Sequence, residues 1–189
     1  MRRLIPPLAL LLALPLLADD RKKPDNKEQV GTDQVTVYWC TCIKEFWTQP
    51  ADDAKRCPKK GCEEHPKCGD LDGDYKIVVR ALRDSVRAKQ EVAFDVEVYQ
   101  IVIDKDSKPD EVLVTDITSV KARFTPCDAD GNPKDDEAGP VIEAKPGAEK
   151  VHVLKNTFAK KGEQVLGIEI VRGNKTKTTI ESEIRFTVD

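Results

Sequence analysis

The chain has 189 residues, of which 34% are charged and 5% are aromatic, and its formal net charge is −3. Non-specific binding to nucleic acid or to anionic membranes depends on clustered Lys and Arg, so an acidic chain argues against both. The length is enough for one sizeable core, or for one domain with a small appendage.

The first 18 residues have the three parts of a secretory signal peptide. Arg2 and Arg3 precede an apolar run that extends to Ala18, and Asp19 and Asp20 follow it. The run is too short for a membrane-spanning helix, which needs roughly 20 apolar residues, and prolines interrupt it. The sequence therefore predicts cleavage after Ala18, a secreted or periplasmic mature protein with a net charge of −5, and no transmembrane segment after cleavage.

The next part of the chain divides into a leader and a Cys-rich module. Residues 19–33 are strongly charged and contain one aliphatic side chain, which is typical of a disordered leader. In residues 34–73, a β-branched and aromatic stretch at 34–39 predicts a short strand, and five of the six cysteines follow between 40 and 69. Because this module has too few apolar residues for a core of its own, cross-links or a metal ion must hold its shape.

The remaining residues, 74–189, have the period-two pattern of strands with one buried face. In 91–103, for example, Val92, Phe94, Val96 and Val98 fall on one side. We predict strands near residues 75–82, 91–103, 112–117, 119–125, 140–144, 150–155, 163–171 and 178–188, with a hairpin turn at 172–175. These strands, with polar turns and no strong helix, predict a mainly β chain in which an immunoglobulin-like antiparallel β-sandwich follows the Cys-rich module.

The first and last cysteines of the module have the spacing of metal ligands. Cys40 and Cys42 are two residues apart, so on an extended segment both side chains point to one side and can converge on an ion. A disulfide between them would be strained. His65 and Cys68 are followed by Gly69, which is typical of a metal-binding knuckle in which glycine permits the unusual backbone.

Six side chains compete for the four positions of a tetrahedral zinc site. They are Cys40, Cys42, Cys57, Cys62, His65 and Cys68. Either the first two cysteines join His65 and Cys68, or the last four residues bind the ion alone while other thiols form a disulfide. An exported chain with an even number of cysteines is also compatible with disulfides alone, because extracytoplasmic compartments are oxidising. Both interpretations stay open, and Cys127 is either a buried residue or the partner of an odd thiol.

Residues 38–71 also contain a set of motifs that a known family shares. The motifs are Tyr38-Trp39-Cys40, Cys57-Pro58 and His65-Pro66-Lys67-Cys68-Gly69-Asp70-Leu71. With them the segment resembles the small heavy-metal-binding domain of periplasmic copper and heavy-metal efflux proteins. It departs from that family at Thr41-Cys42, which replaces a Pro-Met-His stretch, at His65, where the family has cysteine, and at Asp70, where it has methionine. Because a soft Cu(I) site would lack its thioether ligands, the metal that fits here is zinc in a structural role.

Residues 74–189 resemble the immunoglobulin-like periplasmic modules found in such proteins, in their strand pattern. Two Asp-x-Asp-Gly-Asp/Asn stretches, 70–74 and 128–132, do not have the spacing of an EF-hand loop, so we predict turns there. His152 is predicted at a solvent-facing strand position. Trp39 and Trp47 are predicted to form a mini-core beside the first cysteine pair.

No catalytic arrangement is found in the sequence. With two histidines in the whole chain, a His-based triad or a three-His metal centre is nearly excluded. We therefore expect an exported, non-enzymatic module that binds a metal ion or an envelope protein, with a zinc site that fixes the Cys-rich segment. One alternative is a disulfide-stabilised structural or adhesive β-sandwich without metal. A less favoured alternative is a thiol oxidoreductase that uses Cys40 and Cys42.

Overall fold

The computed structural model of the chain describes residues 28–40, 44–50, 69–83, 85–173 and 177–189. Within these residues the chain forms β-strands, with two short 3₁₀ turns at Asp135–Glu137 and Ala148–Lys150. The strands are β1 Glu28–Cys40, β2 Glu45–Pro50, β3 Asp70–Ala81, β4 Glu91–Ile103, β5 Pro109–Leu113, β6 Ile117–Pro126, β7 Ile142–Glu143, β8 Lys145–Pro146, β9 His152–Thr157, β10 Gly162–Arg172 and β11 Thr178–Val188. The prediction of a mainly β chain is confirmed.

The strands form two antiparallel sheets. Sheet A has the order β2-β1-β3-β4-β9-β8, and sheet B has the order β11-β10-β6-β7. On the edge away from β3, β4 has two partners: residues 91–96 pair with β9, and residues 99–103 pair with β5. The short strands β7 and β8 follow each other in the chain, so the backbone crosses from the edge of sheet B to the edge of sheet A between them.

The inner faces of the two sheets share one apolar core. The period-two pattern predicted for β4 is confirmed, since Val92, Phe94, Val96 and Val98 are all buried, and alternate apolar residues of β10 and β11 are buried in the same way. Four phenylalanines at one end of the core lie with ring centroids 5.2 to 6.1 Å apart in every pair. They are Phe94, Phe124, Phe158 and Phe186. Such tilted and edge-to-face pairs stabilise a core beyond the area that they bury.

The edge of sheet B is closed by the first two strands of sheet A. A Cβ atom added to Gly31 of β1 would overlap the side chain of Ile184 in β11, so the two strands approach closely only because residue 31 is glycine. Ser182 donates a hydrogen bond of 2.7 Å to Asp33, and the backbone N–H of Glu181 donates to the Thr48 hydroxyl of β2. These contacts satisfy part of the edge that β11 would otherwise present to solvent.

Two boundaries differ from the sequence prediction. Residues 28–33, for which the sequence predicts a disordered leader, belong to β1 and pair with β3. The division predicted between residues 73 and 74 falls inside β3, whose first residues pair with the end of β1. Tertiary pairing therefore overrides the local composition in both places, because polar residues are well accommodated on the solvent face of a sheet. The predicted signal peptide, residues 1–18, lies outside the described residues, as do residues 19–27 of the predicted leader.

Two strands were not predicted. The six residues of β2 lie among the Cys-rich residues, and β8 has two residues with a proline. Neither has enough alternation to be read as a strand. No helix in the described ranges combines the length and the apolar composition that crossing a membrane requires.

Candidate functional site

Of the six predicted metal ligands, the structure describes Cys40. It is the last residue of β1, it is fully buried, and it lies opposite Glu45 of β2. Cys42, Cys57, Cys62, His65 and Cys68 lie outside the described residues. Among the residues that are described, no group of three or more His, Cys, Asp or Glu side chains could hold a metal ion.

Cys40 belongs to a small cluster on the outer face of sheet A, which we call the outer cluster and define as Tyr38, Cys40 and Trp47. Val37 is in the main core, so Tyr38, the next residue along the strand, points away from sheet B, and Cys40 lies on the same side as Tyr38. Trp47 is the cross-strand partner of Tyr38, and the two rings stack with centroids 4.6 Å apart. Trp47 is only 1% exposed, yet neither it nor Cys40 belongs to the main core.

The outer cluster is also in contact with Gly69, which follows Cys68 in the sequence. Gly69 has a φ of +112°, a conformation that other residues rarely adopt. A Cβ atom at this position would lie 3.2 Å from the carbonyl oxygen of Trp39 and 3.3 Å from Nε1 of Trp47. Both the conformation and the lack of space therefore require glycine. The two ends of the segment 40–69 accordingly lie side by side on the sheet.

The prediction that Trp39 and Trp47 form one mini-core beside Cys40 is wrong, because the two rings lie on opposite faces of sheet A. Trp47 is buried on Tyr38, and Trp39 packs on Phe46 with ring centroids 4.8 Å apart. The Nε1 atom of Trp47 is buried and has no hydrogen-bond partner within the described ranges. A buried indole N–H normally has an acceptor, so the outer cluster contains a polar group as well as apolar ones.

A second polar cluster, not predicted from the sequence, joins the two sheets near the β10–β11 connection. Arg172 of β10 donates to the Tyr75 hydroxyl at 3.0 Å, to Gln100 Oε1 at 3.1 Å and to Asp116 Oδ1 at 3.1 Å. Tyr75 in turn donates to Asp72 at 2.9 Å, and this carboxylate also accepts from Thr178 of β11. We call the group centred on these residues the Arg172 network. It went unpredicted because its members come from five separate segments of the chain.

The properties of the Arg172 network are those of a structural element that stabilises the fold. Burial, followed by the charge of Asp72, raises the pKa of Tyr75 to about 12, and its hydroxyl is already engaged on both sides. A phenol with this pKa stays protonated near neutral pH and is a poor general base. Gly73, next to Asp72, also leaves little room, because a Cβ there would lie 3.1 Å from Gln100 Nε2.

The two Asp-rich stretches differ from each other. The prediction of a turn is wrong for 70–74, which is part of β3 and contains an irregularity in the pairing with β1. The stretch 128–132 is a turn, as predicted: the Asp128 carboxylate accepts from the backbone N–H groups of Asp130 and Asn132, and Gly131 has a φ of +81°. These bonds lower the pKa of Asp128 and hold the turn in place.

His152 is on the opposite face from the one predicted. It pairs with Val96 of the core face of β4 and shares a face with Leu154, so it is half-buried and not solvent-facing. Its Nδ1 atom is buried without a hydrogen-bond partner in the part of the chain described, and burial lowers its pKa. Cys127, at the end of β6, is partly exposed and forms no disulfide in the described structure.

A cleft opens on the side of the sandwich between β6 and β9. Its volume is about 340 Å³, and its apolar floor is formed by Phe124, Phe158 and Ile142. One wall is the loop that follows β6, which is tied down by the hydrogen bond from Gly139 N–H to the Phe124 carbonyl oxygen. The other wall is the end of β9. The cleft is at the lower end of the size range of ligand pockets.

The cleft continues past Lys160 into a wider depression with a positive rim. The depression is lined by four basic side chains and one carboxylate, that of Asp189. The basic residues are Arg87, Lys89, Lys160 and Lys161, which we call the basic rim. The backbone here is fixed by bonds from Lys89 N–H to the Phe158 carbonyl and from Ala88 N–H to the Asp189 carbonyl. All four side chains are exposed.

Comparison with known proteins gives no relative for this chain. No family model, no curated protein and no solved structure matches it. The likeness of residues 38–71 to heavy-metal-binding domains, and of residues 74–189 to immunoglobulin-like modules, therefore stays a prediction.

Proposed function

We propose that the mature protein is an exported, non-enzymatic binding module of the cell envelope, in which a structural zinc ion holds the Cys-rich segment against sheet A. The observation that supports this most is the outer cluster. A fully buried cysteine and a fully buried indole lie outside the main core, at the point where both ends of the Cys-rich segment meet the sheet. Cys40 is thereby a thiol in a setting that favours a fixed structural role.

The strand order supports the immunoglobulin-like part of the proposal. When β1, β2 and β5 are left out, sheet A reads β3-β4-β9-β8 and sheet B reads β11-β10-β6-β7. Lettered in chain order from β3, with β7 as an inserted C′ strand, these are ABED and GFCC′, the two sheets of an immunoglobulin sandwich. In this interpretation β1 and β2 are an added hairpin beside strand A, and they carry the Cys-rich segment.

The burial of Cys40 also disfavours the redox alternative. Thiol–disulfide exchange needs a sulfur atom that a partner can reach, and Cys40 has no exposed surface. A thiol oxidoreductase that uses Cys40 and Cys42 is therefore the least supported of the three functions.

The zinc content of the exported protein tests the proposal. The full chain is expressed with its own signal peptide, and the mature protein is purified without chelators or metal-affinity steps. We expect about one zinc ion per chain by mass spectrometry, none in Cys68→Ser, and an unchanged content in Cys127→Ser, which is the matched control. Cys40→Ser separates the two ligand arrangements, because only one of them includes Cys40. A metal-free protein with oxidised cysteines would support the disulfide alternative and exclude structural zinc.

A further inference from the structure

The outer edge of β9 has an unpaired stretch beside the cleft. The backbone N–H of Leu82, next to β3, donates to the Ala93 carbonyl, and that of Val114, next to β5, donates to the Val98 carbonyl. The backbone groups of odd-numbered β4 residues therefore bond to β3, and those of even-numbered residues bond to β5 and β9, the strands on the other edge of β4. The residues of β9 opposite even β4 residues, such as Leu154 and Asn156, therefore use their backbone groups on β4. The backbone N–H and C=O groups of Lys155 and Thr157 point away from β4.

The neighbouring strand β8 does not reach these two residues. It pairs with β9 only at His152 and Val153. Within the described residues, the N–H and C=O groups of Lys155 and Thr157 thus form an open edge beside the cleft, which Thr157 also lines. An exposed edge of this kind is a template for another extended chain.

The cleft gives such a chain a place for one large side chain. Asn156, Thr157 and Phe158 line it from the β9 side, and the floor consists of Phe124, Phe158 and Ile142. Since alternate residues of an added strand point to one face, one side chain would enter the cleft while its neighbours face solvent. The backbone that crosses from β7 to β8 ends the open edge on the side of His152, so an added strand has no room there.

The charge of the basic rim indicates which charge the rest of a bound chain should have. The basic rim lies beyond the C-terminal end of β9, and none of its four side chains forms an ion pair with any described residue. The depression holds four cations against the carboxylate of Asp189, and Lys160 also interacts with the charge of Glu137 in the adjoining cleft. The charge in excess is positive, which is complementary to carboxylates. Lys155 itself pairs with Glu91 at 3.3 Å through its side chain, which leaves its backbone edge accessible.

We propose that the open edge of β9 binds an extended acidic peptide by β-strand addition, with an aromatic or aliphatic side chain in the cleft and carboxylates on the basic rim. Antiparallel pairing, the more stable kind, places the N-terminal end of the peptide over the rim. The acidic residues therefore precede the apolar one. This deepens the protein-binding part of the proposed function and rests on it, but it uses no residue of the Cys-rich segment.

The test uses the full mature protein and a blocked peptide with the sequence Asp-Glu-Asp-Val-Phe-Val. We expect saturable binding in fluorescence polarisation, and amide shifts of Lys155 and Thr157 in NMR spectra. A peptide N-methylated on the backbone of its Val-Phe-Val part should bind roughly tenfold more weakly or not at all, because it cannot pair with the edge. A peptide with Lys-Arg-Lys in place of the acidic residues should not bind.

Charge-reversed proteins provide the matched comparison. The double variant Lys160→Glu/Lys161→Glu should weaken binding roughly tenfold, because it reverses half of the rim. The variant Lys105→Glu/Lys108→Glu changes the net charge equally on the distant β4–β5 hairpin and should leave binding unchanged. Far-UV circular dichroism of both variants confirms that they are folded.

Three results of the peptide experiment would overturn the inference. They are the absence of binding, equal binding of the N-methylated peptide, and amide shifts that lie away from β9. Concentration-dependent dimerisation that shifts the same amides without peptide would assign the edge to a second copy of the chain, and would also overturn it. Zinc content is measured on the same preparation, so failure of the metal proposal and failure of the peptide proposal are separately visible.

Discussion

The Arg172 guanidinium joins the two sheets through a single side chain. Arg172 is on a strand of sheet B, and it donates to Tyr75 and Gln100 of sheet A and to Asp116 in the connection between the sheets. Its planar fork can reach these three acceptors at once, which a lysine ammonium on a flexible stem does less well. The guanidinium also lies 5.6 Å from the centre of the Tyr75 ring.

Replacement of Arg172 should therefore destabilise the sandwich. We expect Arg172→Met to lower the free energy of unfolding by about 2 kcal/mol, because the buried Tyr75 oxygen and the partly buried Gln100 oxygen lose a charged donor. Urea denaturation followed by circular dichroism measures the change. Arg123→Met is the control, since Arg123 is exposed on β6 and has no ion pair among the described residues, and it should change stability by less than about 0.5 kcal/mol. Equal effects of the two substitutions would contradict the proposed role of the network.

Tyr75 gives the network a dependence on pH. Burial and Asp72 raise its pKa from 10.0 to about 12. Because the folded pKa is above the unfolded one, the neutral phenol contributes its full stabilisation below about pH 10 and loses it as the pH rises to 12. The free energy of unfolding should fall over this window, and it should fall less steeply in Tyr75→Phe. Tyr38 and Tyr99, whose pKa values are also raised, are present in both proteins. Identical slopes would show that Tyr75 does not titrate as described.

At the scale of the elements, the sequence predicted the strands that have one apolar face. β4 and β11 begin and end at the predicted residues, because their alternation is uninterrupted and polar turns flank them. The start of β3 was not predictable from local pattern. Asp-Gly is the commonest turn dipeptide, yet here Asp72 and Asp74 are in a strand, where Tyr75 and Thr36 satisfy their carboxylates. Thr36 is a cross-strand partner, and Tyr75, although three residues from Asp72, is fixed by its burial in the core, so neither contact could be predicted from local pattern.

The candidate site was predictable only as far as its residue types. The spacing of the cysteines predicted that Cys40 belongs to a segment fixed by a metal ion or by cross-links. It did not predict that Cys40 is buried on the outer face of sheet A, where Trp47 stacks on Tyr38. The open edge of β9 had no signal in the sequence. It depends on β8 being only two residues long, and on the hydrogen-bond phase of β4, which are properties of the assembled sheet.

The packing of β1 against β11 tests how the N-terminal hairpin is attached. A Cβ on Gly31 would overlap Ile184, so Gly31→Ala should destabilise the protein by about 1–3 kcal/mol through overpacking. Gly167→Ala is the matched control, because the nearest atom to its Cβ is 4.0 Å away and its φ is not in the left-handed region. That substitution should be neutral or slightly stabilising. Thermal unfolding of both variants measures the difference, and a neutral Gly31→Ala would mean that β1 is loosely held.

At the scale of the whole molecule, the main core and the outer cluster are formed by different parts of the chain. The main core lies between the sheets and contains residues from both, whereas the outer cluster lies on one face of sheet A and is made by the β1–β2 hairpin. β1 is bound to β3 from Glu28 to Trp39 and touches β11, so the hairpin is anchored without help from the Cys-rich segment. A metal in that segment is therefore expected to act on the outer cluster rather than on the fold.

Chelation should separate the two clusters. Trp47 is in the outer cluster, whereas Trp39 packs on Phe46 on the other face of the β1–β2 hairpin. The tryptophan fluorescence of a Trp39→Phe protein therefore reports the outer cluster, while far-UV circular dichroism reports the sheets. If zinc holds the Cys-rich segment, a strong chelator should shift the emission to longer wavelength, because Trp47 gains water, and leave the β signal in place. The zinc-free variant Cys68→Ser should already show the shifted emission and should not respond to chelator. Loss of the β signal on chelation would mean that the metal supports the sandwich itself, and a constant emission would mean that the cluster is held by other means.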